Sequence, residues 1–91
     1  MTEQVEFQTA LQRGNRVQVP KLVRWKFKLE SNQVLKVAVW AGVISWKTFY
    51  ACMDKSGRIT IPRLTLQLLQ ARMRGETSLT GAVMEVRVER A

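Results

Sequence analysis

Residues 7 to 29, FQTALQRGNRVQVPKLVRWKFKL, and residues 49 to 71, FYACMDKSGRITIPRLTLQLLQA, carry one pattern at an offset of 42 positions. Phe7 meets Phe49, Arg16 meets Arg58, Pro20 meets Pro62 and Leu22 meets Leu64. Val17 and Val19 fall on Ile59 and Ile61, and Lys21 falls on Arg63. A domain of about 40 residues seldom folds unaided. In a chain of 91 residues, two such copies must therefore share one core. The expectation is a single body with approximate two-fold symmetry, repeat one covering roughly residues 5–40 and repeat two roughly 46–89.

Each copy predicts the same order of elements: strand, turn, strand, helix, strand. Val5, Phe7, Thr9 and Leu11 alternate with Glu6, Gln8, Ala10 and Gln12, the period of a half-buried strand. Arg13-Gly14-Asn15 supplies a turn, since Gly and Asn tolerate positive φ, and Val17 and Val19 then point inward. Pro20 ends that strand and opens a helix predicted over Lys21 to Glu30. Leu22, Trp25 and Leu29 would form its apolar face, with Val23 and Phe27 beside it, and Trp25 and Trp40 are assigned to packing. Leu35, Val37 and Val39 are the inward set of the third strand.

The second copy repeats this with Phe49, Ala51 and Met53 inward, a turn at Lys55-Ser56-Gly57, and Ile59 and Ile61 inward. Its helix begins at Arg63, with one apolar line through Leu64, Leu68 and Ala71 and another through Leu66, Leu69 and Met73. Met84, Val86 and Val88 match Leu35, Val37 and Val39 at an offset of 49, so seven extra residues separate helix from last strand, naturally at 75–81.

Fifteen Lys and Arg against seven Asp and Glu give a net charge of +8, with no histidine. Residues 7 to 75 hold 13 of the basic residues and only Glu30 and Asp54 as acids, a local net of +11. Such a field attracts polyanions, of which nucleic acid is the commonest in a cell. The competing explanation is a solvated basic surface that only aids solubility.

The run Gly57-Arg58-Ile59-Thr60-Ile61-Pro62-Arg63-Leu64, after a short strand and a turn, resembles the signature of the AbrB-like transcription factors. Asn15-Arg16-Val17-Gln18-Val19-Pro20-Lys21-Leu22 is its weaker copy. Those proteins belong to the cradle-loop barrels. Two copies in one chain look like the MraZ-like tandem proteins or a small archaeal single-chain RIFT barrel. The resemblance implies a mainly β fold: a closed six-stranded cradle-loop barrel, RIFT-type or swapped-hairpin, built from two ββαβ repeats and two short helices. Two departures stand out. Ser31-Asn32 occupies the turn where the family often has Gly-Asp, and the fourth strand of AbrB-like monomers is missing.

Arg16 and Arg58 follow the turns and point outward by alternation. The resemblance places them on a DNA-binding face, where a guanidinium fork reaches phosphate or base edges. Lys21, Arg24 and Lys28 form a basic stripe at i, i+3 and i+7, with Lys26 at its flank, and Arg24 falls where the family carries a DNA-contacting arginine. Arg13 in the first turn and Arg63 at the second helix start complete the expected nucleic-acid-binding set. In each case a solvent-exposed charge with no ligand is the plainer alternative. Arg24 aligns with Leu66, so the two ends of the pseudo-dyad differ, which argues for sequence-tolerant phosphate contact over a palindromic operator.

Trp46, Tyr50 and Cys52 lie on the strand face opposite Phe49, where Trp46 and Tyr50 are candidates to receive stacked bases or a partner chain, or simply to be covered by a helix or the 75–81 segment. No catalytic residues, metal site or cofactor are expected. The chain lacks histidine, holds one cysteine and offers neither a carboxylate pair nor a phosphate-binding glycine loop. The longest apolar run, Val37 to Ile44, is far short of the ~20 residues that span a bilayer. With no signal peptide and no disulfide to form, the expected location is the cytoplasm. The expected partner is nucleic acid, DNA ahead of RNA, with no membrane; a monomer suits two copies in one chain, and a homodimer is the other arrangement. The second functional class is a non-catalytic protein-interaction module, antitoxin-like or translation-associated.

Overall fold

The alternating segments become six strands, with a short helix after the second strand of each copy. The computed structural model describes residues 4–41, 46–70 and 80–91. The elements run β1 Gln4–Ala10, β2 Arg16–Gln18, α1 Lys21–Lys26, β3 Val34–Trp40, β4 Lys47–Cys52, β5 Arg58–Thr60, α2 Arg63–Gln70 and β6 Val83–Arg90. The fold is mainly β. The strands divide between a four-stranded antiparallel sheet, β1-β6-β3-β4, and a two-stranded antiparallel ribbon, β2-β5, rather than forming one continuous ladder. Between them lies one apolar core.

The repeat offsets reappear in the strand pairing. Phe7 pairs with Val86 in β1-β6, and Val37 pairs with Phe49 in β3-β4. Advancing Phe7 by 42 positions and moving Val86 back by 49 turns the first pair into the second. Val17 pairs with its own repeat mate Ile59, and Ala38 with its mate Arg87, so a pseudo-dyad passes through both points. Backbone bonds outside the strands obey it too. The Val19 N–H donates to the Gly57 carbonyl at 2.9 Å, and the Ile61 N–H donates to the Asn15 carbonyl at 2.7 Å.

Alternate residues of every strand supply the core. Val17, Val19, Leu35, Val37, Val39, Ile59, Met84 and Val86 are completely buried, with Ile61, Val88, Phe49 and Met53 nearly so. Val5, Phe7 and Ala51 pack against them from less enclosed positions. Full burial of one such aliphatic side chain contributes about 1.5–3 kcal/mol, which makes this shared centre the main stabilising element.

The helices depart from expectation in facing and length. α1 stops at Lys26, short of Glu30. Lys28 takes a left-handed conformation at φ 53°, the Leu29 N–H reaches back to the Arg24 carbonyl at 2.9 Å, and the Lys28 N–H donates to the Trp25 carbonyl. This is a Schellman termination, which turns Leu29 back onto the core. Arg90 donates to the Phe27 carbonyl at 2.7 Å and so places a cation at the helix end. Val23 and Leu29 therefore face the core, while Leu22 and Trp25, expected on the apolar face, are 74% and 80% exposed. In α2 the line through Leu66 and Leu69 is buried and Leu64 and Leu68 are exposed. Ala71, Met73 and most of the 75–81 connection lie outside the described residues. Among the described residues no helix is long and apolar enough to cross a membrane.

Candidate nucleic-acid interface

The ribbon presents the two signature arginines together. Arg16 sits opposite Thr60 and Gln18 opposite Arg58, with Val17 and Ile59 between them filling the core. Successive strand residues point to opposite faces, so Arg16, Gln18, Arg58 and Thr60 share the outer face. Arg16 and Arg58 are its diagonal, dyad-related pair. They are held differently. The Arg58 Nε donates to Gln12 Oε1 at 2.8 Å and its Nη1 to Ser56 Oγ at 3.2 Å, whereas the Arg16 Nε donates to the Arg13 carbonyl at 3.3 Å.

A tight turn stands at each end of the ribbon. Gly14 and Asn15 both take positive φ, 79° and 60°, and the Ile61–Asn15 bond brings this turn, with Arg13, beside the start of α2, where Arg63 is exposed. The other turn is organised by Asp54, whose Oδ1 accepts from the Ser56 N–H at 2.9 Å, the Ser56 hydroxyl at 2.6 Å and the Arg58 N–H at 2.9 Å. The Ser56 hydroxyl, then the Arg58 N–H, hold this carboxyl below the usual carboxylate range. Asp54 is thus committed to the turn. The Val19–Gly57 bond sets that turn beside the start of α1 and Lys21.

Arg24 crosses from α1 onto this second turn. A β-carbon added to Gly57 would lie 2.5 Å from the Arg24 Cζ and Nη1, so the guanidinium rests directly on the glycine. Its Nε is buried without a hydrogen-bond partner. Lys21, Arg24, Trp25, Lys28, Leu29 and Glu30 line one shallow groove. The predicted stripe is therefore brought together although Lys28 has left the helix.

The opposite side of the molecule has a different electrostatic character. On the outer face of the four-stranded sheet Glu6 pairs with Arg87, Glu89 lies 3.6 Å from Lys36, and Glu85 accepts from Gln8. Of the acids among the described residues, these three are on the sheet, Asp54 is spent within its turn, and Glu30 alone lies at the groove. Trp46 is stacked on Trp40 at 6.2 Å between centroids and covered by the Arg87 guanidinium at 4.0 Å. Tyr50 is 63% exposed.

No protein-family model matches the chain, and no curated protein does. A solved structure resembles it over most of its length. The solution structure of PHS018 from Pyrococcus horikoshii superposes with a TM-score of 0.73 over 91% of this chain and 86% of that one, at 21% identity. At that identity the likeness is one of fold alone. It concerns the scaffold; the side chains of the basic face belong to this chain.

Trp25, like Leu22, is a residue that periodicity misplaced. Its spacing with Leu22 and Leu29 imitates a buried stripe, yet Leu29 lies beyond the helix. The usable signal was its position among Lys21, Arg24 and Lys28. Gln12 and Ser56, which restrain Arg58, carried no local signal, since both act through long-range or turn contacts.

Proposed function

We propose that the chain is a small non-catalytic nucleic-acid-binding protein. It acts on DNA ahead of RNA, as a transcription regulator or architectural binder on a scaffold of the cradle-loop barrel type. The observation that carries this reading is the separation of charge. Arg13, Arg16, Arg58, Arg63, Lys21, Arg24 and Lys28 belong to the ribbon, its turns and the helix ends beside them. The sheet-side acids are instead taken up by Arg87, Lys36 and Gln8. A surface of this kind neutralises phosphates, and Arg16 and Arg58 supply two forks at the centre of symmetry. The use of Trp46 and Tyr50 for a protein partner has less support, because the Trp46 ring already stacks on Trp40 and carries the Arg87 guanidinium.

Anisotropy titrations of labelled duplex and single-stranded DNA and RNA test the reading. Contact with four or five phosphates on a duplex gives a slope of log affinity against log salt near −4, a loss of roughly 250-fold or more between about 50 and 200 mM salt. Replacing Arg16 and Arg58 by alanine should flatten the slope by about two. If no nucleic acid binds in the micromolar range even at low salt, the proposal fails.

A further inference from the structure

We infer that the groove beside α1 is a seat for an unpaired nucleotide, in which a base stacks on Trp25 while Lys21, Arg24 and Lys28 engage the flanking phosphates. The inference rests on the nucleic-acid reading above and names the form of the ligand, a single strand in preference to a duplex.

Three observations and one general property of nucleic acids support it. Trp25 is 80% exposed on a helix whose Val23 packs into the core, so the indole presents an open face instead of filling space. Three cations and one acid, Glu30, surround that indole in the same groove, a balance that suits phosphate and disfavours an acid-free apolar partner. The Arg24 guanidinium rests on Gly57 with no ion pair among the described residues, so its charge is not cancelled. Finally, a flat ring needs a free base face; in a duplex those faces are stacked on one another, whereas in a single strand they are open to aromatic platforms.

The dyad mate of this site lacks its chemistry. Positions 66, 67 and 70, which align with Arg24, Trp25 and Lys28, hold Leu, Gln and Gln. One seat per chain follows, with the strand engaged at one end of the pseudo-dyad only.

The test uses the full chain, with labelled oligothymidylate, oligouridylate, a mixed-sequence duplex of equal length and polyglutamate as probes. Single strands should bind more tightly than the duplex, and polyglutamate should bind least. Trp25→Ala should weaken single-strand binding by about tenfold or more, in keeping with the usual effect of removing one stacking platform, and leave duplex binding nearly unchanged. Trp25→Phe should restore most of the loss and Trp25→Leu should not, because a leucine keeps apolar surface but cannot stack. Trp25 touches water over most of its surface, so these variants keep the fold, as far-UV circular dichroism will verify. Oligodeoxyuridylate against oligouridylate, which differ only at the 2′ position, decides which sugar is preferred.

Equal binding of duplex and single strand, with Trp25→Ala neutral on both, would overturn the inference and leave the proposed function standing. Polyglutamate binding as tightly as the single strands would overturn it in favour of an anionic protein partner. Failure of every nucleic acid at low salt overturns both.

Discussion

Replacing Gly57 by alanine brings two costs at one position, and the structure contains the control that separates them. Gly57 has φ +85°, where an L side chain is strained by roughly 1–2 kcal/mol. Its new β-carbon would also meet the Arg24 guanidinium at 2.5 Å. The guanidinium is the far end of a flexible side chain with its Nε unpartnered, so it will swing away, losing packing worth on the order of 0.5–1 kcal/mol. Gly81 has nearly the same φ, +89°, with nothing within 4 Å of an added β-carbon. Gly81→Ala therefore reports backbone strain alone. Gly57→Ala should cost about 1.5–3 kcal/mol and exceed Gly81→Ala by about 0.5–1 kcal/mol, a further fall in Tm of roughly 2–8 °C for a domain of this size. In an Arg24→Ala background the two glycine substitutions should cost the same. Urea midpoints of the six chains, three in each background, measure this. If Gly57→Ala costs as much with Arg24 absent as with it present, Arg24 does not rest on Gly57.

Three other outcomes follow from particular contacts. The Asp54 carboxyl is held below its unfolded value, so the stability it contributes is present above the ordinary aspartate range and is lost as pH falls through the depressed folded value. Asp54→Asn should therefore be the less stable chain at neutral pH, and its deficit should shrink as pH drops below about 4, read from urea midpoints across the acid range. Lys28 is a non-glycine residue at φ 53°, so Lys28→Gly should raise stability by about 0.5–1 kcal/mol while weakening single-strand binding, opposite signs that a purely structural lysine would not show. Leu22→Ala should change stability by less than about 0.5 kcal/mol, whereas Leu69→Ala, at a completely buried position, should cost about 2–5 kcal/mol in chemical denaturation.

Much of the scaffold was legible because it is written in local rules. A period of two placed Leu35, Val37 and Val39, Met84, Val86 and Val88, and Val17 and Ile59 inside, and each is buried. Gly14-Asn15 and Gly57 marked turns through their tolerance of positive φ, and both turns adopt it. The helices were harder. A helix of six residues is too short for periodicity to assign its face, and α1 is ended by a left-handed lysine and by Arg90, a residue 63 positions from the carbonyl it meets. The candidate site was partly legible for a similar reason. Arg16 and Arg58 could be paired through the repeat, but the seating of Arg24 on Gly57 joins the two copies across space.

The sequence by itself determined the repeat, the strands, the prolines that open the helices and the net positive charge, because these depend on neighbouring residues and on composition. Only the tertiary structure decided where that charge is felt. Glu6 lies 81 positions from Arg87, and Glu89 lies 53 from Lys36; only folding brings these partners within reach. Their pairing on the sheet leaves the ribbon and the Trp25 groove as the basic side. Cancellation of charge is a matter of distance in space, and linear order does not contain it.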